Sequence, residues 1–517
     1  MDDASFIQSL VEGYGTSSNH TTVYGYCSNE AEGETNLILQ CITEVMEQKQ
    51  LEGDRNVNRW LMLFSGGLIF FMQTGFAMLC AGCVRKKNVQ NTMLKNLLDA
   101  CGAALGFFLL GYAFAFGGQD DRDDVTFIGT SNFLNTGKVD MSFWFFQFAF
   151  SATAVTIVAG TLAERCQMVA YLCYSIFLTG FVYPVAAHTI WSRNGFLSST
   201  AVDPFQGVGA IDFAGSGVVH VTGGTTALVA TYILGARKGR FYDNRGRQLE
   251  TPKSFPGHSV ALQLLGTFVL WFGWYGFNPG SALLLAHTSD TGFVASRAAV
   301  NTSLSAASGA VSALMTNMFM EERSTGEYSF NIIMAMNGAL AGLVSITAAC
   351  GTVQNWAALC TGCIGGLIYL WGSKTLVRLK LDDAVDAIPV HMFAGGWGLL
   401  AVGLLSDPDL MHIAYGTGNH PGLLYSWGLG EFNAILLSNQ VLELVFVAGW
   451  AFGTMTPFFL FINRMGWFRS DSLEELVGLD EAYHGGKHGG EEVVELSALE
   501  GFIKNKIRQS QIRSPYN

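Results

Sequence analysis

The sequence predicts an all-α polytopic membrane protein: eleven transmembrane helices, built as an inverted five-helix repeat plus a final helix. Three observations carry that prediction. Hydrophobic residues make up 50% of the chain and charged ones only 14%, against roughly a quarter charged in ordinary soluble domains. Eleven apolar segments have the length that a bilayer core demands of a helix. Finally, one spacing, Asp-x7-His, occurs as Asp212…His220 at the start of the fifth segment and as Asp383…His391 at the start of the tenth.

In chain order, residues 1–59 are polar and acidic, with no basic stretch leading into an apolar core, so no cleavable signal peptide is expected. The apolar segments lie near Trp60–Val84, Leu94–Phe116, Ser142–Ala163, Met168–Ile190, Gly209–Leu234 and Ser259–Phe277. The remaining five lie near Ala295–Phe319, Phe330–Ala349, Val353–Trp371, Pro389–Leu405 and Leu442–Ile462. Small residues four apart let membrane helices approach closely, and they recur at Gly102/Gly106, Gly338/Gly342 and Gly362/Gly366. From 464 to 517 the chain is charged and reads as a soluble tail, whose Ser472–Gly486 stretch has the character of a segment that docks on the connecting loops. The expected domains are thus an extracytoplasmic tail (1–59), a transmembrane domain (60–463) and a cytoplasmic tail (464–517).

Charge in the links sets the orientation. Arg85, Lys86 and Lys87 follow the first segment, while Asp120, Asp121, Asp123 and Asp124 follow the second. The link after the fifth holds Arg237, Lys238, Arg240, Arg245, Arg247 and Lys253; the one after the ninth holds Lys374, Arg378 and Lys380. Basic residues concentrate in alternate links, which places the N-terminus outside and the C-terminus inside. An odd number of spans satisfies both ends. Segments one to five and six to ten then enter the membrane from opposite sides, and such inverted halves meet around a site at midplane.

Most of the ten cysteines fall in apolar runs and read as small buried hydrophobes. Cys360-Thr-Gly-Cys363 has redox-like spacing but no βαβ context. Cys27 and Cys41 share the outer tail and are candidates for a disulfide. Asn19-His-Thr21 is a glycosylation sequon in that tail, whereas Asn301-Thr-Ser303 falls inside the seventh segment, out of reach. Nothing in the charge pattern forms a nucleic-acid patch, and no metal site or cofactor is expected.

Titratable groups inside a bilayer are costly and usually face a pathway. His220 and His391, at matched positions of the two halves, are therefore the first candidates, as a neutral pair with one ring donating to the other. Among the aromatics, Phe146, Phe148, Phe150, Trp191, Trp274, Tyr275 and Phe277 sit at segment ends or beside glycines. Trp191, Phe277 and Ser281 fall on the outer side, where ring faces attract a small cation. Asp212 is either a helix N-cap or a charge that keeps such a vestibule negative. Asp382, Asp383 and Asp386 read as cap and loop charges.

Longer motifs then name a family. Ala210-Ile-Asp212-Phe-Ala-Gly-Ser-Gly-Val-Val-His220, Trp271-Phe-Gly-Trp-Tyr-Gly-Phe277-Asn-Pro-Gly-Ser281 and Gly75-Phe-Ala-Met-Leu-Cys-Ala-Gly82 resemble the Amt/Mep/Rh ammonium transporters. Leu162-Ala-Glu-Arg165 and Leu178-Thr-Gly-Phe-Val-Tyr-Pro184 do so too, and the wording is most similar to the plant-type Amt branch. The resemblance spans roughly Trp60 to Gly486. It implies a multi-pass protein of the cell membrane, a homotrimer with one pore per subunit, and ammonium or methylammonium as substrate, with no enzymatic step. Residue by residue, it implies that His220 and His391 are the twin pore histidines and that Phe150 and Phe277 form a stacked gate beside Phe146 and Gln147. It further implies that Trp191, Ser281 and Phe150 recruit ammonium, with Asp212 in support. The stretch Gly478…His484-Gly-Gly486 is similar to a cytoplasmic regulatory segment, a point where a regulator would act, yet Ala482 stands where plant-type members carry a phosphorylated threonine.

An isolated ammonium in low dielectric costs tens of kcal/mol, to order of magnitude. Removing its proton at pH 7 costs only about 3 kcal/mol. The expected mechanism is therefore deprotonation near the gate and passage of ammonia along the histidines, with net charge transfer favoured over an Rh-like gas channel. Two readings from other classes compete: a sensor that signals through the tail, and an electron-transfer protein whose histidines are axial haem ligands.

Overall fold

A bilayer offers no water to backbone groups, so apolar stretches of spanning length close their hydrogen bonds within themselves and become helices. The computed structural model describes residues 35–118, 124–243, 245–285 and 290–484, and contains no extended strand among them. Its helices are α1 (Thr35–Cys83), α2 (Lys86–Phe116), α3 (Met141–Thr161), α4 (Met168–Trp191) and α5 (Ser216–Leu234). The second half holds α6 (Val260–Leu285), α7 (Thr291–Thr325), α8 (Ile332–Ile346), α9 (Asn355–Arg378) and α10 (Ile388–Leu405). Two short helices, α11 (Pro408–Tyr415) and α12 (Leu423–Gly428), precede α13 (Ile435–Arg464), and α14 (Ser472–Val477) and α15 (Leu479–His484) follow it. Contacts divide the chain into two units, Met1–Met62 and Leu63–Asn517; every site discussed below lies in the second.

Each of the eleven predicted segments falls on one helix, and nine described helices are long and apolar enough to cross a membrane. The other two, α7 and α8, miss that criterion for different reasons. Helix α8 is apolar but short. Helix α7 is long but rich in serine, threonine and asparagine, and those side chains are turned inward: Asn301, Thr302, Ser305 and Asn317 are buried. The amide of Asn301 donates to Cys350 O and Val353 O, both at 2.9 Å, which removes it from any glycosylating enzyme. Several helices outrun their apolar stretch: α1 begins well before Trp60, and α9 continues through Lys374 to Arg378. Helical hydrogen bonding does not stop at the hydrocarbon boundary, and charged residues tolerate the helix beyond it.

The predicted glycine pairs lie at close helix contacts. A methyl at Gly102 or Gly106 would overlap Ser175 or Thr179 of α4; at Gly338 or Gly342 it would meet α7. Gly362 and Gly366 of α9 abut α7 from another side, at Ser305 and Gly309. Cys360 and Cys363 are free thiols. Cys41 is disulfide-bonded, whereas Cys27, the partner considered from sequence, and Asn19 lie outside the described residues.

On the face opposite the histidine-bearing turns' vestibule, described below, four links are pinned by buried charge. Arg85 donates to Glu164 from its backbone N–H (2.7 Å) and its Nε (2.8 Å). Arg237 reaches Glu164 at 3.4 Å and grips Asp382 through Nε at 2.8 Å and Nη2 at 2.9 Å. Arg165 Nη2 donates to Asp382 O at 2.6 Å and its Nε to Gly235 O at 2.8 Å. This is the structural content of the Leu162-Ala-Glu-Arg165 motif. The tail docks on the same side. Asp480 accepts from the N–H groups of Gln90 and Asn91 at the start of α2 (3.0 and 2.7 Å), and Lys87 Nζ donates to Leu476 O at 2.6 Å. Glu475 accepts from Lys238 N–H at 2.6 Å and pairs with Arg469 at 2.8 Å. Ala482 is exposed.

Burial alone would push Glu164 and Asp382 up, but the guanidiniums of Arg237 and Arg85 outweigh it for Glu164, and Arg237 does so for Asp382; both are held below the usual carboxylate range. Stability from a depressed carboxylate is complete above its unfolded value and lost as pH falls through the folded one. Removing one partner of a buried pair costs roughly 3–5 kcal/mol. Glu164→Gln should therefore melt well below wild type, with the gap constant above about pH 5 and closing below about pH 4, as read by scanning fluorimetry of the solubilised protein.

Candidate functional site

The site begins with one carboxylate. Asp212 ends a non-helical approach to α5, and its side chain accepts from four successive backbone N–H groups: Gly215 (3.0 Å), Ser216 (2.7 Å), Gly217 (2.9 Å) and Val218 (3.0 Å). A helix start leaves such donors without partners, and here, deep in apolar surroundings, one carboxyl side chain satisfies all of them. Gly215 has φ 104°, a left-handed conformation that glycine adopts without cost. From there α5 opens with a wide π turn, Ser216–Val221, in which His220 N–H reaches back to Gly215 O at 3.1 Å.

The second half repeats the device. Asp383 accepts from Val385 N–H (3.2 Å) and Ile388 N–H (2.7 Å). Three residues on, Asp386 has φ 60°, as Gly215 lies three residues after Asp212. A π turn, Ile388–Phe393, then carries His391. Each turn is braced by the irregular chain that ends a helix of the opposite half. Phe213 and Ala214 donate to Ala348 O and Thr347 O, both at 3.1 Å, just past α8. Reciprocally, Asp382 and Val385 meet Arg165 and Gly160 at the end of α3. A two-fold relation between halves demands this exchange.

The two histidines meet. Their Nδ1 atoms are 3.1 Å apart and both rings are buried, so one Nδ1 donates and the other accepts. That contact leaves no gap for a porphyrin plane, which disposes of the haem reading. His220 Nε2 has no partner among the described residues. Trp274 stacks on His220 at 5.4 Å and donates its Nε1–H to Thr347 Oγ1 at 3.0 Å. Phe277 lies on the same ring at 5.6 Å.

Above the histidines, Phe277 packs on Phe150 with centroids 4.2 Å apart. Phe150 in turn touches Phe146 (5.0 Å) and stands edge-on to Trp191 (5.6 Å). Over this stack opens a vestibule of about 800 Å³, whose lining includes Phe146, Gln147, Phe150, Trp191, Asp212 and Ser281. Trp191 Nε1 donates to Asp212 O at 2.7 Å, and its ring lies against Gly215, where a Cβ would sit 3.1 Å from it. Ser281 Oγ donates to Phe277 O at 2.9 Å, which leaves the oxygen's lone pairs for another donor. Gln147 Oε1 is buried without a partner among the described residues. On the far side of the pair, His391 lines a cavity of about 20 Å³ with Phe76, Val385 and Val390, room for about one water-sized molecule.

The nine residues that the resemblance assigns to the site fall along one line: Trp191, Ser281, Phe146, Gln147 and Asp212 at the vestibule, Phe150 and Phe277 beneath it, then His220 and His391. Of the other aromatics named from sequence, Phe148 stacks on Trp144 at 5.5 Å and Tyr275 shares a hydrogen bond with Ser303 at 2.8 Å. Sequence reasoning gave no place to Phe76 and read Asp386 as a cap or loop charge, without its left-handed conformation. Trp274 was one aromatic among many; the signal available was its position three residues before Phe277, on the same helical face.

A direct check on the cap follows. Asp212→Ala leaves four buried N–H groups without an acceptor, each costing about 1–3 kcal/mol. Melting temperature and folded yield should fall in the order wild type, Asp212→Asn, Asp212→Ala.

With this geometry in hand, comparison with known proteins is decisive about kinship. The family described as Ammonium Transporter Family matches residues 60–488. A tomato protein, ammonium transporter 1 member 3, is 40% identical over 446 residues, covering 83% of this chain and 92% of its own length. The ammonium transporter Amt2 of Archaeoglobus fulgidus is 42% identical over 429 residues, covering 82% and 86%. Among solved structures, a sensor Amt protein aligns with a TM-score of 0.69 at 30% identity over 83% of this chain and 98% of that one. Candida albicans Mep2 aligns at 0.67 and 28%, over 80% and 86%. The chain belongs to the ammonium transporter family, with plant-type Amt proteins among its near relatives.

Proposed function

We propose that the protein, an ammonium transporter, draws ammonium from the vestibule, removes its proton at the phenylalanine stack and passes ammonia along the histidine pair. The observation that carries this reading is the Nδ1–Nδ1 contact of 3.1 Å directly below the 4.2 Å stack of Phe150 and Phe277. Ammonium has four N–H donors, and the vestibule offers it the faces and edges of Trp191 and Phe150, the hydroxyl oxygen of Ser281 and the orphaned Gln147 Oε1. Asp212 adds negative charge without a free lone pair directed at the solute. Rings attract such cations by about 0.5–2 kcal/mol, enough to concentrate ammonium without trapping it.

The stack admits no hydrated ion, and its apolar faces favour the neutral species. Below it, neutral imidazoles supply a donor and an acceptor to ammonia. Potassium has no proton to surrender and no N–H to donate. The charged recruiting site favours net charge transfer over gas-like passage. In this reading the vestibule faces outward, the docked tail and basic links face the cytoplasm, the protein is a homotrimer in the cell membrane, and the tail is where a cytoplasmic regulator acts.

The test is current on a solid-supported membrane bearing the reconstituted protein. Ammonium, and not potassium, should evoke a transient that grows and saturates with concentration. A silent protein that still signals in cells would favour the sensor reading instead. His220→Ala and His391→Ala each strand the other ring's Nδ1, and should lower the ammonium current about tenfold or admit potassium. Wild-type flux and selectivity in both would sink the relay. Trp191→Leu should raise the half-saturating ammonium concentration about threefold to tenfold, and an unchanged value would remove Trp191 from recruitment.

A further inference from the structure

Helix α13 brings a second carboxyl to Asp212. Glu443 is fully buried. A Cβ placed on Gly217 would sit 2.6 Å from Glu443 Oε1 and 3.3 Å from Asp212 Oδ2, so the two groups face each other across a glycine where any side chain would part them. Asp212 is thus the charged side chain nearest to Glu443 at that point, and the two act on each other electrostatically. Gln440, one turn earlier on α13, is committed to the residue before Asp212: its Oε1 accepts Ile211 N–H at 2.7 Å and its Nε2 donates to Ile211 O at 2.8 Å. That amide reaches Glu443 Oε2 only at 3.4 Å. Glu443 Oε1 has no donor at all among the described residues.

Two carboxyls in contact cannot both be ionised without a cation between them. The groups that act on Glu443 are Asp212 and Gln440, neither of them cationic. Facing the pair from other elements are Tyr183 of α4, Tyr415 of α11 and Cys350 after α8, with Arg193 lining the vestibule beside Asp212. One proton is therefore shared, and the donor count says where it resides. Asp212 has four backbone N–H groups and is the better site for the charge. Glu443 has one long contact and a bare oxygen, which a proton would turn into a donor.

We propose that Glu443 is a positioning residue of the recruitment site: a neutral carboxylic acid whose O–H donates to Asp212 and keeps that carboxylate charged beneath the vestibule. Its functional part rests on the ammonium-recruitment reading above. A hydrogen bond to the charged form favours that form, so Asp212 attracts ammonium yet does not take its proton, which is left for the stack and the histidines. The pair presents one negative charge to the vestibule instead of two.

Infrared difference spectroscopy tests the protonation directly on the full-length protein in lipid. The wild type should show the C=O stretch of a protonated carboxylic acid at neutral pH that Glu443→Gln lacks; identical carboxyl regions would overturn the proposal. Currents test the consequence. Glu443→Gln keeps an N–H to give Asp212 and should hold the half-saturating ammonium concentration within about twofold, whereas Glu443→Leu should raise it roughly threefold to tenfold, the worth of one hydrogen bond. An equal rise in both, or a Glu443→Leu protein that loses only maximal current with the same saturation and pH profile, would reduce Glu443 to packing. Should Glu443→Leu fail to fold, the infrared and saturation results of Glu443→Gln decide alone. A wild type that passes no current would defeat the transport reading while the infrared result still judged the proton.

Discussion

Four backbone N–H groups converge on the carboxylate of Asp212, and the pore's geometry depends on that convergence. A helix that begins in apolar surroundings must satisfy its first donors. Here a single side chain does so, and in doing so it fixes where the helix starts and how widely its first turn opens. The wide turn sets the direction of His220. The left-handed Gly215 that precedes it leaves a flat surface for the indole of Trp191, whose N–H returns to the carbonyl of Asp212. The vestibule wall and His220 are thus held by one residue.

The same device at Asp383 carries His391, and each copy is braced by the broken end of a helix from the other half. Because the halves exchange these supports, neither histidine is placed by its own half alone. The 3.1 Å contact between the rings is therefore a property of the assembled pair of repeats. The buried charges that tie Glu164, Arg237 and Asp382 lie just beyond the second copy, so the links that orient α10 are locked to those that end α1, α3 and α5. Through Glu475 the tail holds one of those same links, at Lys238, and through Asp480 it holds the start of α2. The tail and the His391 turn therefore share a mechanical connection.

Much of this is legible in the sequence, and for a physical reason. Apolar length, alternating basic links and the Asp-x7-His spacing are each imposed by the membrane, so they mark the chain itself. Asp212, His220, Phe277 and Ser281 come to one axis because they belong to long motifs whose spacing a helix converts into position, and Phe146, Gln147, Phe150, Trp191 and His391 join them from other helices. What escaped was set by neighbours. Nothing local distinguishes a π turn from an α turn. Asp386 does the work of Gly215 because aspartate tolerates the left-handed region, and no composition signal marks that substitution. Helix α7 hides its hydroxyls and amides against α8 and α9, so its hydropathy understates its burial. The glycine pairs were visible, but their partners Ser305, Gly309, Ser175 and Thr179 were not.

Two buried polar atoms belong to residues on either side of the phenylalanine stack, Gln147 Oε1 of the vestibule lining and His220 Nε2 of the ring against Phe277, both without partners among the described residues. Leaving such groups unsatisfied costs about 1–3 kcal/mol each, so a solute that completes them is favoured on either side of the barrier. The amide oxygen accepts only, which suits the N–H of ammonium. The ring nitrogen accepts or donates according to its tautomer, which suits the N–H or the lone pair of ammonia, and its tautomer is coupled through the Nδ1 contact to that of His391. In the proposed mechanism, an ammonia that changes role at one ring changes the role offered by the next. An alkali cation could coordinate the amide oxygen, but it has no proton to leave behind, and a desolvated ion gains little from the faces of Phe150 and Phe277 to repay its lost water. On the proposed mechanism, discrimination comes from the chemistry of N–H and lone pair, which size alone does not imitate.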